Sequence, residues 1–548
     1  MATTGSYTPA EERKKSYDIN ADSKDLERTG SDGDSASDLV ALQIKEEANA
    51  AIKYRSCSWQ KTAALLFSEY ICLAILSFPY SYAILGLVPG LILTIAVAAS
   101  VLYTSLVLWQ FCLRNPQLRD VCDIGQKLFW GSEIAWWLTA AAFILNNTFI
   151  QALHVLVGAK YLNTITDHSE CTIVFAVITT LVCFVLSMPR TFASMSHLAT
   201  GSAFFTFVAV LLCIIFAAIQ DHPNKYVEGV EPTWDAFAKP GTTFVAAMGA
   251  FLNISYTFIG QIALPSFIAE MENPKDFPKA LWAITIAEII VFSLAGSIVY
   301  VYVGNEYYTA PAFGSLSTTY KKVAYSFAVP TIIFLGVLYA SLSARFVFFR
   351  IFHNSRHKNE HTWLGWGVWA GILFVTWVLA FIIAEVIPFF GDLLGLMSSV
   401  FDSFFGFIFW GMAWINLRQQ DYGEGWIRKL TFTEKLSLAL NIFLIIVGLF
   451  FLTAGTYVSS ISVRRLRGVI FSLPLANTSS GTVCGREHYN RFQDRCFIRG
   501  LHVRLEWAVG YFKHISDISF IYISEEGLLA KRSQKLNFMS IMSNPKFL

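Results

Sequence analysis

The chain has 548 residues, of which 55% are hydrophobic and only 15% are charged. Soluble proteins carry about a quarter charged residues, so this composition excludes an ordinary soluble protein. The net charge of +2 gives no electrostatic reason to expect a nucleic-acid partner. The apolar residues form continuous runs near or above the ~20 residues that span a bilayer as a helix, without the alternation of a membrane barrel. The sequence therefore predicts an all-α polytopic membrane protein.

Three regions of the chain differ in composition. Residues 1–55 are rich in Ser, Asp, Glu and Lys, which predicts a disordered cytoplasmic N-terminal tail. Residues 56–460 hold the membrane-length runs and form the predicted transmembrane domain. Residues 461–548 contain no such run, and their basic cluster at 464–467 would lie on the outer side of the membrane. We interpret this last region as an atypical C-terminus of unknown role, with an unusual extracellular tail as the alternative.

The apolar runs predict eleven transmembrane helices, here called segments one to eleven. The ninth and tenth are separated only by the short stretch around Pro388. Lys and Arg concentrate in the loops that are cytoplasmic if the N-terminus is inside, and this asymmetry predicts a cytoplasmic N-terminus. The predicted spans are residues 62–85, 88–113, 134–160, 171–188, 197–219, 242–268, 280–303, 325–350, 364–387, 391–417 and 435–458.

Segments one and six are each interrupted by a proline. Segment one contains ILSFP (75–79), and segment six contains QIALP (261–265) with Gly260 just before it. Proline removes a backbone donor and disrupts the helix, and in hydrocarbon every freed polar group needs a new partner. Paired interruptions five spans apart are typical of transporters built from two repeats. Two unrelated proline kinks in a helix bundle are the alternative.

Broken helices provide the groups that a zwitterion needs. The N-terminus of a half-helix carries free N–H groups and partial positive charge, which suit a carboxylate, and unwound carbonyls can hold an ammonium group. The sequence therefore predicts that an amino acid binds at the two breaks. The predicted substrate-binding residues there are Ala74, Ile75, Leu76 and Ser77 in segment one and Phe258, Gly260 and Gln261 in segment six.

Segment three carries a polar face within its apolar run. Asn147, Gln151 and His154 follow one another at helical spacing, so they share one side of the helix. That side should point into the bundle. We include Asn147 and Gln151 among the predicted substrate-binding residues, although hydrogen bonding between helices is the favoured alternative.

Glu69 lies on the cytoplasmic half of segment one, about two turns before the predicted break. An ionisable residue at membrane depth is costly and points to function. We therefore predict that Glu69 exchanges the proton that couples to transport, with a structural acid that pairs with a basic residue as the alternative. Glu288 and Asp402, in segments seven and ten, are interpreted as structural.

Six short motifs follow one another along the membrane part of the chain: Glu69–Pro79, GLVPG (86–90), TDHSECTIVF (166–175), MPRTF (188–192), AEMENPKDFPKAL (269–281) and GVLYASLSARFVFFRIF (336–352). In their order and spacing they resemble the fungal branch of the amino acid/auxin permease family. The resemblance covers roughly residues 55–460. It implies eleven spans in a five-plus-five inverted repeat, as in the bacterial leucine transporter, and proton-coupled amino acid uptake. The chain departs from the family at Ala74, where glycine is common, and at the bulky Phe78-Pro79-Tyr80.

The resemblance also draws attention to segment eight, which faces segment one in the shared architecture. Sodium-coupled relatives use small hydroxyl groups there as cation ligands, and Ser341 is such a group. The nearby guanidinium of Arg345 would disfavour sodium, so Ser341 and Arg345 join Glu69 as predicted proton-coupling residues. The alternative is that Arg345 and Arg350 anchor the cytoplasmic end by pairing with acids.

Histidines at 353, 357 and 361 follow one another at four-residue spacing, as in the iron boxes of membrane desaturases. Such enzymes need several boxes on one side of the membrane, and Lys358 with its neighbouring arginines crowds this one with positive charge. We therefore expect a solvated basic loop, no metal, no cofactor and no enzymatic activity.

The sequence as a whole predicts a secondary active transporter for neutral amino acids. Its expected partners are the amino acid, protons and the lipid bilayer. An amino-acid-sensing membrane receptor without net transport is the alternative. The plasma membrane is favoured over the vacuolar membrane. Substrate preference and oligomeric state stay open.

Overall fold

The computed structural model describes residues 57–461, apart from 117, 119, 191, 353, 354, 356, 358–360 and 388, and gives no side-chain description for 192–199. The predicted tails, 1–55 and 461–548, lie outside this part except for Ile461. His353, Lys358 and Pro388 of the sequence analysis also lie outside it.

The described part of the chain is built from helices, and it contains no β-strand beyond an isolated parallel bridge between Cys57 and Met271. A short helix, Trp426–Lys429, and several 3-10 turns join the longer elements. The helices are α1 (Trp59–Tyr70), α2 (Phe78–Leu85), α3 (Leu87–Arg114), α4 (Val121–Leu128), α5 (Glu133–Ile165), α6 (Thr172–Leu186), α7 (Phe192–Ile219), α8 (Phe244–Phe258), α9 (Leu264–Glu270), α10 (Phe277–Tyr307), α11 (Thr318–Ile351), α12 (Trp363–Val386), α13 (Phe390–Tyr422) and α14 (Phe432–Ile461).

The predicted all-α membrane architecture is confirmed. Nine helical stretches within the described residues are long and apolar enough to cross a membrane, and α6 and α8 are shorter apolar helices at the places of the fourth and sixth predicted spans. Each predicted span thus coincides with an apolar helix, while the number of eleven crossings stays a prediction. The ninth and tenth segments are separate helices, since α12 ends at Val386 and α13 begins at Phe390.

Local sequence fixes where many of the helices begin. A side chain accepts a hydrogen bond from the first turn of α1 (Ser58), α4 (Asp120), α5 (Ser132), α8 (Thr243) and α12 (Thr362). In α14 the Thr431 side chain caps the helix and the backbone N–H of Thr431 donates in return to the Glu434 carboxylate, which forms a capping box. These caps satisfy backbone N–H groups that a helix leaves without an intrahelical acceptor.

The helices divide into an inner and an outer set. In α13, 83% of the apolar stretch is buried within the protein, whereas in α14 only 22% is. The inner helix α5 packs against α4, α6, α11 and α12, and α10 packs against α1, α2, α3 and α7. The outer helices α12 and α14 present large apolar side chains outward, such as Phe374 and Phe443. A polytopic membrane protein turns such surfaces towards lipid.

A glycine allows the loop after α7 to close over the junction between α2 and α3. Gly86 has a φ of +84°, and a Cβ atom there would lie 2.4 Å from the carbonyl carbon of Phe237. The loop accepts hydrogen bonds from the first N–H groups of α3, since Leu87 N donates to Asp235 O at 3.1 Å. The loop at 221–241 therefore holds the end of the interrupted segment one in place.

Candidate functional site

Segments one and six are broken helices, as predicted. In segment one, α1 ends at Tyr70, a 3-10 turn covers Leu73–Ser77, and α2 begins at Phe78. In segment six, α8 ends at Phe258 and α9 begins at Leu264. Both interruptions therefore expose irregular backbone inside the helix bundle, where a transporter can bind its substrate.

The position of the break in segment one corrects one detail of the sequence analysis. The irregular stretch begins at Ile71, so Glu69 lies in the last turn of α1, two residues before the break rather than two turns. Pro79 and Pro265 both lie in the first turn of the following half-helix. Proline is well accommodated there because the first N–H groups of a helix have no intrahelical acceptor. Each proline thus marks a helix start, and the break precedes it.

The two breaks, together with α5, α11 and α13, enclose a narrow cavity of about 50 Å³. Space of this size accommodates a few water-sized groups. The polar side chains that line it come from all five elements: Glu69 and Tyr70 (α1), Asn146 and His154 (α5), Tyr256 and Thr257 (α8), Tyr339 (α11) and Asp402 (α13).

The other side chains that line the cavity are apolar. They are aliphatic except for Cys72 and Phe405, and they lie on the two breaks, α5, α11 and α13. An apolar ligand group packed against this wall would leave no buried polar group unpaired. The apolar wall residues are Cys72, Leu73, Ala74, Ile150, Leu153, Val157, Ile259, Ile262, Leu335 and Phe405.

Three of the predicted site residues line this cavity: Glu69, Ala74 and Gly260. Ile75, Leu76 and Ser77 are buried in the 3-10 turn but are not among the lining residues. The Ser77 hydroxyl donates to Ala74 O at 2.7 Å, so it is engaged in holding the turn.

The predicted residues of segment six hold the break in place. Phe258 is fully buried, with its ring centroid 6.2 Å from that of Phe78 and 5.1 Å from that of Phe292, so it joins α2, α8 and α10. Gln261 Nε2 donates to Thr104 Oγ1 of α3 at 3.0 Å. A Cβ atom on Gly260 would lie 2.7 Å from Cζ of Tyr70, so only glycine permits this close approach between the two breaks.

Only part of the polar face of α5 lines the cavity. His154 lines the cavity together with Asn146, whereas Asn147 and Gln151 are fully buried but are not lining residues. Both polar atoms of the Gln151 amide lack a hydrogen-bond partner among the described residues. The structure thus brings one predicted member of this face, His154, to the cavity, while substrate binding by Asn147 and Gln151 stays a prediction.

Glu69 is held by a residue of α11. Its Oε1 accepts a hydrogen bond from the Tyr339 hydroxyl at 2.8 Å, and its Oε2 has no partner among the described residues. The side chain is buried, with 6% exposure. No described lysine or arginine forms an ion pair with it, so nothing in this part of the chain neutralises its charge permanently.

Arg345 and Ser341 lie away from the cavity. Arg345 interacts electrostatically with Glu270 of α9, and its guanidinium lies 5.5 Å from the centroid of the Phe349 ring. Ser341 is buried, and its hydroxyl has no partner among the described residues. Arg350, the other predicted anchor, pairs with Asp120 at 2.8 Å. These contacts favour the anchoring role for Arg345 over a role beside the substrate.

Residues 55–461 match the family described as transmembrane amino acid transporter protein. The chain belongs to that family. Since the match covers more than half of the chain and the helices are apolar and numerous, the protein is a multi-pass membrane transporter for amino acids rather than an enzyme.

Three curated relatives are similar to the transporter. The "N amino acid transport system protein" of Neurospora crassa is 31% identical over 410 residues, covering 74% of this chain and 84% of the relative. A "transmembrane transporter" of Gibberella moniliformis is 29% identical and covers 84% of this chain and 93% of its own length. A second "transmembrane transporter", of Fusarium pseudograminearum, is 28% identical, and the match covers 76% of this chain and 85% of that relative.

Solved structures with distant similarity include a Na⁺-coupled sialic acid symporter in a substrate-bound outward-open state (12% identity, TM-score 0.43, covering 75% of this chain and 90% of that one). A nucleobase-cation-symport-1 family transporter with bromovinylhydantoin bound has 13% identity and a TM-score of 0.44, with coverage of 80% and 96%. The manganese transporter of Eremococcus coleocola has 14% identity and a TM-score of 0.41, with coverage of 82% and 94%.

Several cavity residues of the transporter were not predicted as site residues. Tyr256, Tyr339 and Asn146 are polar residues within apolar runs, a weak signal that many packing residues share. Asp402 gave a stronger signal, because an ionisable residue at membrane depth is a functional candidate by default. The sequence analysis interpreted Asp402 as structural, yet it lines the cavity, and its Oδ2 has no partner among the described residues.

Proposed function

We propose that the protein is a proton-coupled symporter of neutral amino acids with aliphatic or aromatic side chains. The observation that carries this proposal is the cavity between the two broken helices, which combines a largely aliphatic wall with the buried carboxyl of Glu69. The apolar wall supports an apolar substrate side chain, and the irregular backbone beside it supports binding of the substrate's charged ends. The name of the Neurospora relative, an amino acid transport system protein, supports an amino acid as the substrate.

Proton coupling is supported by the surroundings of Glu69. The residue lies in the last turn of α1, where the negative end of the helix dipole is unfavourable for a carboxylate. It also lacks a fixed counter-ion among the described residues, and one of its oxygens has no hydrogen-bond partner there. A proton taken up at Glu69 from one side of the membrane would remove a buried charge, and its release on the other side would complete a transport cycle.

In this proposal residues 56–460 form the transport domain, with the N-terminus cytoplasmic, and the protein acts at the plasma membrane. Alternating access moves one repeat of the bundle against the other around the cavity. Inward transport of amino acids is then driven by the proton gradient.

Uptake of a labelled amino-acid panel by cells that express the protein tests the proposal. We expect uptake of neutral amino acids such as leucine and phenylalanine, with little uptake of lysine or glutamate. A protonophore should reduce leucine accumulation by about tenfold, since it removes the driving force. Replacement of sodium by choline in the medium should leave uptake unchanged.

Three outcomes would contradict the proposal in different ways. Absence of uptake of every amino acid, with the protein correctly targeted, would overturn transport. Leucine binding to purified protein without uptake would favour the amino-acid-sensing receptor. Uptake that depends on sodium and ignores the protonophore would overturn proton coupling alone.

A further inference from the structure

Asp402 is a second buried carboxyl in the cavity that contains Glu69. It lies in the middle of α13, within a π-helical stretch, Ser398–Ile408, and only 3% of its surface is exposed. π-Helical turns inside α-helices are rare and often occur at functional sites. The Asp402 side chain lines the cavity and presents an oxygen, Oδ2, with no partner among the described residues.

One cavity brings the two carboxyls together with several phenols. Glu69 accepts a hydrogen bond from the Tyr339 hydroxyl, and Tyr70 and Tyr256 line the same cavity as Tyr339 and Asp402. Two carboxyls and three phenols therefore lie around one small space, and each carboxyl has an oxygen that no described residue engages.

The charge of this group is unbalanced within the protein. No lysine or arginine is present among the lining residues, and the His154 imidazole is the only basic group there. A carboxylate buried without a partner is strongly unfavourable, and two that share a site cannot both be ionised without further cost. A proton or a bound cation at each carboxyl would remove this cost.

We propose that Asp402 binds the α-ammonium group of the transported amino acid, while Glu69 carries the proton. A substrate zwitterion and one proton then supply the two positive charges that the two carboxylates require. Glu69 is the better proton site because one of its oxygens already accepts from Tyr339 and the end of α1 disfavours its charge. Asp402 keeps an oxygen free for an ammonium donor, and such charge-assisted hydrogen bonds are strong. This inference rests on the proposed function.

The test separates recognition of the ammonium group from recognition of the rest of the substrate. Labelled leucine and its α-hydroxy acid analogue, 2-hydroxyisocaproate, share a carboxylate and a side chain but differ in the ammonium group. A site built to pair with a polar substrate group discriminates strongly against an analogue that lacks it. The affinity of purified protein for each compound is measured by calorimetry, alongside uptake in cells, for the native chain, Asp402→Asn and Glu288→Gln.

Asp402→Asn is expected to weaken leucine binding at least about tenfold and to leave the affinity for 2-hydroxyisocaproate within about twofold. Glu288→Gln is the matched control, because Glu288 is equally buried, also has an unpartnered oxygen and does not line the cavity. It should keep the native preference for leucine over the hydroxy acid. A native preference in Asp402→Asn would overturn the inference.

Two further measurements keep the outcomes distinct. If Asp402→Asn is not stable in detergent, the Asp402→Glu variant replaces it, because glutamate keeps the negative charge. Loss of the leucine preference in Asp402→Glu would contradict recognition of the ammonium group by that charge. If the native protein binds leucine but does not transport it, the proposed function fails, while the binding preference still tests Asp402. Protonophore sensitivity that survives in Asp402→Asn supports the separate role of Glu69.

Discussion

At the scale of single residues, the main result is that the two groups with the clearest chemistry, Glu69 and Asp402, share one cavity. The sequence indicated Glu69 as a candidate because it is an acid within an apolar run. Its hydrogen bond from Tyr339 joins residues 270 positions apart in the chain, which local sequence could not indicate. The consequence is that Glu69 can be tested as a proton site by a change that preserves its shape.

Glu69→Gln should abolish the dependence of leucine uptake on the proton gradient, because an amide occupies the same space and cannot exchange a proton. We expect accumulation to fall about tenfold and to become insensitive to a protonophore, while exchange of leucine across the membrane continues. The measurement is uptake into proteoliposomes with an imposed pH gradient.

A pH profile alone would not identify Glu69, since Tyr70, His154, Tyr256, Tyr339 and Asp402 also line the cavity. The gradient experiment is therefore compared with Glu288→Gln, a buried acid that is not among the lining residues of the cavity. Retention of full gradient-driven accumulation in Glu69→Gln would return this residue to a structural role.

Gly260 provides a second prediction at this scale. In Gly260→Ala the new Cβ atom would meet the Tyr70 ring at 2.7 Å, so the ring or the segment-six break must shift, and such overpacking costs about 1–3 kcal/mol. We expect a lower Tm and reduced leucine uptake. Gly249→Ala in α8 is the control, because its Cβ atom would have no neighbour within 4 Å; an equal loss in both variants would contradict the close-approach explanation.

At the scale of helices, the chain places its capping residues and prolines where helices begin. The sequence predicted that Pro79 and Pro265 interrupt segments one and six, and in the structure each lies in the first turn of the half-helix that follows its break. This placement follows from the backbone: a proline after a break fits the new helix, and the irregular residues before it remain open. Helix caps should accordingly contribute to stability through their own hydrogen bonds.

Asp120 permits a test of capping against ion pairing. Its Oδ1 accepts from the backbone N of Cys122 at 2.9 Å and of Asp123 at 3.1 Å, and its Oδ2 accepts from Arg350 at 2.8 Å. Burial, with the neighbouring Asp123 carboxylate, raises the pKa of Asp120, so its negative charge is not favoured by the fold.

Asp120→Asn should therefore cost little, because asparagine caps a helix as well as aspartate does and a partly exposed ion pair contributes only about 0–1 kcal/mol. Asp120→Ala should reduce the free energy of unfolding by about 1 kcal/mol more. Thermal unfolding in detergent measures both variants. Equal destabilisation would mean that the ion pair with Arg350, rather than the cap, stabilises this end of α4.

At the scale of the whole molecule, the residues just before α1 pair with those after α9. Cys57 N donates to Glu270 O at 3.1 Å, and Glu272 N donates to Cys57 O at 3.0 Å. These bonds join the ends of the two broken segments on the side that we propose is cytoplasmic. Alternating access would require these ends to separate for release of the substrate.

A cross-link between Cys57 and Met271→Cys tests this requirement, since residues paired in a parallel bridge lie close enough for a disulfide. Oxidation should block leucine uptake by at least about tenfold, and reduction should restore it. Met271→Cys with Cys57→Ser is the control, which oxidation should not affect. Full uptake by the oxidised, cross-linked protein would show that these ends need not part.

The sequence predicted the membrane class, the positions of the helices and the paired interruptions, because hydrophobic run length and proline position are local properties of the chain. It also indicated Glu69 and Gly260 as parts of the site. It did not predict that Asn146 rather than Asn147 would line the cavity, since a rotation of α5 by one residue spacing decides this. It left open whether Arg345 pairs with an acid or lies beside the substrate path, and in the structure Arg345 is near Glu270.

The sequence by itself thus determined that this protein spans a membrane with many helices and breaks two of them, since the bilayer imposes those requirements on every segment separately. Only the tertiary structure decided which polar residues of five different elements meet at one cavity. The contact between Tyr339 and Glu69 and the position of Asp402 depend on how α1, α11 and α13 pack. Helix rotation and packing are properties of the assembled bundle, and no single segment encodes them.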